Sequence, residues 1–133
     1  MKAGFFTMPL HPPGSNITET LESDLNQLVK LDELGFAEAY IGEHFTFEWE
    51  NIPVPDLLIA QALGMTKNIR LGTGVHCMPN HNPMMLAHRV AQLDHMAKED
   101  LYGELGLVPL EVIMKCLDLI QIQMTGGLTL EKL

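Results

Sequence analysis

Cysteine is scarce in this chain: Cys77 and Cys116 are the only two in 133 residues, too few for a disulfide framework. Basic charge is scarce as well. Eight Lys and Arg stand against seventeen Asp and Glu, giving a net charge of −9 and a pI near 4.9. That balance excludes nucleic acid and anionic membrane surfaces as natural partners, because both repel an acidic protein. No apolar run approaches the roughly 18–20 residues of a membrane span. The opening MKAGFFTMPL has one Lys and a short apolar run that reads as a strand, which is not the build of a signal peptide. A cytoplasmic location is therefore expected, and the sequon Asn16-Ile17-Thr18 reads as chance. A Gly-x-Gly-x-x-Gly turn, a Walker loop and a Gly-x-Ser-x-Gly elbow are all missing, so nucleotide-loop and serine-hydrolase readings have no support.

What is present is an alternation of strand and helix signals. Lys2 to Leu10 is a short apolar segment ended by the breaker His11-Pro12-Pro13-Gly14. Leu21, Leu25, Leu28, Leu31 and Leu34 recur at helical spacing, with Thr18 or Thr20 as the expected cap and Gly35 as the expected left-handed stop. Ala39-Tyr40-Ile41-Gly42 forms a second strand running into Glu43-His44, followed by a polar loop from Thr46 to Pro55. Asp56 to Met65 reads as a compact apolar helix, Ile69 to Met78 as a third strand and Pro83 to Lys98 as a third helix. Apolar strands alternating with helices predict a parallel sheet covered by helices. Three such units make less than half of a (β/α)8 barrel, which typically needs about 250 residues, or else a small open α/β sheet. Periodicity does not decide between them.

Catalytic groups of (β/α)8 enzymes lie at the C-terminal ends of the strands. Three segments qualify: Met8 to Pro12, Glu43-His44-Phe45, and Gly72 to Pro79. An imidazole at His44 can act as general acid or base near neutral pH, or it can simply hydrogen-bond a loop. Gly72-Thr73-Gly74-Val75 marks either close approach of backbone to a ligand or tight strand–helix packing. His76 lies near His81, and His88 and His95 share a helix face. No Cys or carboxylate stands at a recognised ligand spacing with them, so they read as solvated or loop histidines and no metal is expected. The nine Met residues are adaptable core and pocket filling.

Four ordered segments, MKAGFFTMPLHPP, IGEHF, IRLGTG and NPMMLAHRVAQLDHMAK, resemble the bacterial-luciferase-like, flavin-dependent monooxygenases. The first is especially similar to the limonene-type members. The resemblance covers residues 1–98 and implies the first three units of a (β/α)8 barrel. It implies a flavin delivered reduced (FMN, with deazaflavin the second choice), molecular oxygen, a small apolar organic substrate and a partner flavin reductase. By the same resemblance His44 takes part as acid or base in the chemistry of the flavin with oxygen. Glu43, Thr73, Gly74 and Val75 are expected beside the flavin ring, with a non-proline cis peptide at Gly74–Val75. Met8 and Leu10 are expected to line the substrate pocket. Many luciferases carry a second His where this chain has Phe45, which points to the wider monooxygenase group.

After Lys98 the text changes, and residues 99–133 read as a divergent tail with an apolar helix over about 108–124. One coding string for Glu99 to Leu110, read from its third base, encodes R-F-I-W-G-I-G-S-G-S-F, which resembles the family's fourth strand and glycine turn. The expectation is a one-nucleotide frameshift near Lys98 and a truncated, inactive chain, because the later strands that hold the flavin phosphate are replaced. The rival expectation is a non-catalytic α/β fragment or a dimerising module, two copies associating through exposed helices.

Overall fold

The computed structural model describes residues 2–45 and 47–97. Three parallel strands, β1 (Gly4–Thr7), β2 (Glu38–Ile41) and β3 (Arg70–Thr73), lie side by side in the order β1-β2-β3. Each pair is bridged by a helix, α1 (Ile17–Glu33) and α2 (Pro55–Leu63), and α3 (Pro83–Met96) follows β3 after a short 3-10 turn at Met78–Asn80. The strand order follows chain order, as in a barrel wound in one direction, and not the reversing order of a doubly wound sheet. Main-chain bonds extend the register past the strand ends: Gly42 N–H donates to Thr7 O at 2.9 Å and Gly74 N–H to Ile41 O at 2.8 Å.

All three helices contribute to one core on one side of the sheet. Leu25, Leu28 and Leu31 of α1, Leu58, Ile59 and Ala62 of α2, and Leu93 of α3 pack on Ala39, Ile41 and Leu71. With period-two alternation, Gly4, Phe6, Glu38, Tyr40, Arg70 and Gly72 then occupy the opposite face, in the rows Gly4–Glu38–Arg70 and Phe6–Tyr40–Gly72. Phe6 is 57% exposed there. This is the face that becomes the interior of a closed (β/α)8 barrel.

The helix boundaries have local causes. Asn16, not Thr18 or Thr20, caps α1, its side chain accepting from Thr18 N–H at 3.0 Å. Asn16 has the extended backbone a cap requires, whereas Thr18 and Thr20 lie within the helix itself, so the sequon is in use as a helix start. Gly35 adopts φ +79°, and Phe36 N–H reaches Leu31 O at 3.1 Å while Gly35 N–H reaches Asp32 O at 3.0 Å. That double closure is the Schellman stop that glycine permits. Asn82 caps α3, accepting from the amides of Met84 and Met85, with Pro83 in the first turn. β3 is shorter than expected, ending at Thr73, because the chain turns at Gly74. The expected helix over 108–124 and the boundary between residues 98 and 99 lie outside the described residues.

At the N-terminal end of the strands, Asp32 fastens α1 to the entry of β3. Its carboxylate accepts the amides of Lys67, Asn68 and Ile69 at 2.8, 2.9 and 2.8 Å. Burial works against the charge, but the amide bonds outweigh it and hold the carboxyl below its usual range. A depressed carboxyl stabilises the fold above its unfolded value of about 3.9 and ceases to do so as pH falls through the folded value. Asp32→Ala is therefore expected to cost about 0.5–2 kcal/mol at pH 7, the range of a lost helix cap. In urea denaturation the gap from the wild-type chain should close in acid; a gap that persists there would refute the assignment.

Candidate functional site

The C-terminal ends of the strands bring two different environments together, one on each face of the sheet. On the barrel-interior side lie Met8, Gly42, His44 and Gly74. His44 Nε2 is 3.3 Å from Met8 Sδ and 3.0 Å from Glu50 Oε2, and its ring tilts against Phe47 at 6.3 Å. The two glycines give neighbouring side chains room to pack against main chain here. A Cβ on Gly42 would collide with Met8 Sδ, and one on Gly74 would come within 2.6 Å of Phe6 Cε2 and 3.1 Å of Tyr40 Cβ. The Gly74–Val75 peptide bond is cis. Leu10 and Val75 are exposed at the rim.

Glu43 and Thr73 point the other way. They share parity with Ile41 and Leu71, so alternation carries both side chains towards the helices. Glu43 has no exposed side-chain surface, and both its oxygens accept from His81 Nε2 at 2.9 Å. Thr73 is fully buried, its Oγ1 3.0 Å from His76 Nδ1. Neither side chain reaches the interior side of the sheet.

Behind the site these groups join one buried network. His76 Nε2 donates to Asp56 Oδ1 at 2.7 Å, and Asp56, in the first turn of α2, is 2% exposed. Arg89 of α3 donates through Nη2 to His81 Nδ1 at 3.2 Å. Its Nε forms an ion pair with Asp56 Oδ2 at 2.5 Å. The rings of His76 and His81 meet edge to face at 5.6 Å. An arginine can only donate, so His81 Nδ1 is bare and Nε2 carries the hydrogen given to Glu43. Burial pushes the Asp56 carboxyl up, yet His76 and Arg89 together hold it below the usual carboxylate range.

The expectation that His76 and His81 are solvated loop residues is corrected here: each is bonded to a buried carboxylate. The partners are 20 and 38 residues away, beyond any local spacing rule. A signal was available for Asp56, the one charged residue on the apolar stripe Pro55, Leu58, Ile59, Ala62. His88 and His95 do lie exposed on α3. Among the described residues no group of three His, Cys, Asp or Glu is placed to hold a metal ion.

A second buried histidine, His11, joins the loop after β1 to the loop after β2. Its Nε2 contacts Asp24 Oδ2 at 2.8 Å, its Nδ1 contacts Asn51 Oδ1, and its N–H donates to Trp49 O at 2.6 Å. Burial raises the Asp24 carboxyl, and His11 draws it part of the way back.

This arrangement of strand ends has counterparts among known proteins. The profile of the luciferase-like monooxygenases matches residues 1–99. The chain belongs to that family. It is 45% identical over 93 residues to 4-hydroxyprotoasukamycin monooxygenase of Streptomyces nodosus subsp. asukaensis, covering 70% of this chain and 25% of the relative. It is 37% identical over 95 residues to limonene 1,2-monooxygenase of Rhodococcus erythropolis, covering 71% and 24%. The FMN complex of the oxygenating constituent of 3,6-diketocamphane monooxygenase from Pseudomonas putida superposes with a TM-score of 0.73 at 32% identity, over 86% of this chain and 32% of that one. This luciferase-like chain thus spans about a quarter to a third of its relatives' length, and its three βα units are part of a (β/α)8 fold. No helix among the described residues is long and apolar enough to cross a membrane.

Proposed function

We propose that this chain supplies one wall of a flavin site in a flavin-dependent monooxygenase that oxidises a small apolar organic substrate with reduced FMN and molecular oxygen. The observation that carries this reading is the interior face of the strand ends. There Met8 packs over Gly42 and Phe6 over Gly74, Leu10 and Val75 add exposed apolar surface, and His44 is the titratable group beside them. A planar ring fits against an apolar wall of this kind with one polar group at its edge. When bound, the flavin supplies the redox and oxygen chemistry. His44 gives or takes a proton at the face of that ring, and the apolar rim keeps water from it. Reduced flavin would come from a separate reductase, and a deazaflavin would present a similar ring to the same wall.

The described residues leave the flavin phosphate to other parts of a complete site. Lys2, Lys30, Lys67 and Arg70 belong to the opposite end of the sheet by their places in the chain, and Arg89 is engaged by Asp56 and His81. Riboflavin and FMN should therefore quench Trp49, the chain's single tryptophan, saturably and with affinities within about threefold of each other. A phosphate held by one charge-assisted hydrogen bond, worth about 1.5–3 kcal/mol, would separate them more than tenfold. Absence of saturable quenching by either ligand would sink the reading.

A further inference from the structure

We propose that Glu50 is a positioning residue for His44, holding the hydrogen on Nε2 and leaving Nδ1 as the nitrogen that exchanges protons with the site. The proposal rests on the reading of His44 as the acid or base. Glu50 is a loop residue, yet the chain on both sides of it is fastened. Trp49 O accepts the His11 amide at 2.6 Å, the Asn51 side chain meets His11 Nδ1, and Ile52 O accepts the His44 amide at 3.0 Å. His11 is itself 3% exposed and fixed to α1 through Asp24 at 2.8 Å. The loop is thus seated on the strand end and on α1, and Glu50 Oε2 comes to 3.0 Å from His44 Nε2.

Hydrogen-bond chemistry then selects the tautomer. A neutral imidazole has one N–H and one bare nitrogen. Both polar neighbours of Nε2, the Glu50 carboxylate and the Met8 sulfur at 3.3 Å, are acceptors, so the hydrogen resides on Nε2. A proton arriving at His44 settles on Nδ1, and the imidazolium formed is neutralised by Glu50; its departure restores the starting tautomer. Carboxylate–imidazole pairing is a general means of fixing ring orientation in acid–base sites.

The test needs no flavin. In long-range proton–nitrogen spectra of the 15N-labelled 133-residue chain, His44 is expected to show a bare Nδ1, a protonated Nε2 and a visible Nε2–H signal. Glu50→Ala should bring the two nitrogen shifts together and lose the N–H signal to water exchange, with Trp49 emission unchanged because the His11 seat remains. Glu50→Gln, which keeps the acceptor oxygen, should retain the wild-type pattern, and it decides alone if the Ala variant fails to fold. A hydrogen on Nδ1 in the wild-type chain or the Gln variant, or an unchanged spectrum in Glu50→Ala, overturns the proposal. A chain that binds no flavin defeats only the functional reading, and a wrong tautomer defeats only this one.

Discussion

Replacing Asp56 by Ala is expected to destabilise the chain by about 3–5 kcal/mol, the cost of leaving buried partners of an ion pair without their counter-charge. Asp56 holds His76 through one oxygen and the Arg89 charge through the other, and removing it leaves the buried His76 Nε2–H without its acceptor and Arg89 without its counter-charge. Since single domains of this size are stable by roughly 5–15 kcal/mol, the variant should lose much of its resistance to urea. Asp56→Asn keeps an acceptor for His76 and should cost less than the Ala variant. The effect has a pH signature. The carboxyl is held below its usual range, so the stabilisation is complete above the unfolded value of about 3.9 and fades as pH falls through the folded value. Parallel denaturation curves should converge in acid, and an Ala variant within about 0.5 kcal/mol of wild type at pH 7 would show that the network carries no stability.

Ile41→Ala should cost about 2–5 kcal/mol, and Ile41→Val only about 0.5–1.5 kcal/mol. Ile41 is fully buried in the central strand and belongs to the core shared by all three helices. Truncation to Ala opens a cavity that neighbours hydrogen-bonded on both sides cannot close, because β2 pairs with β1 and β3 alike. The residue lies two places before Glu43 and three before His44, so loss of packing there also loosens the interior wall. Both variants can be read by urea midpoint, and equal effects of Val and Ala would contradict a cavity origin. Together the two sites separate the chain's stability into an apolar layer beneath the sheet and a polar clamp at its C-terminal edge.

Two neighbouring residues at this edge also face opposite ways. His44 faces the side of the sheet opposite the helices, where it meets Met8 and Glu50, while Glu43 faces the helices and is taken up by His81. In sequence they read as one Glu-His pair, and alternation continued past the end of β2 separates them.

The amino-acid sequence determined what depends on near neighbours. Leucines at helical spacing, the Gly35 stop, the Pro83 start and three short apolar strands fix the order of elements, because helix and strand periods, caps and turn conformations act over a few residues. The ordered segments through NPMMLAHRVAQLDHMAK also made the family and the cis bond at Gly74–Val75 legible. Tertiary structure alone decided which histidines are paired and with what. Glu43 finds His81 across 38 residues, His11 finds Asn51 across 40, and Asp56 finds Arg89 from a different helix. Those contacts are created when parallel strands bring successive loops to one edge of the sheet, and no local spacing encodes them. The facing of Glu43 and Thr73 lies between these cases: period two contains it, but only once the packed core shows which face Ile41 and Leu71 occupy.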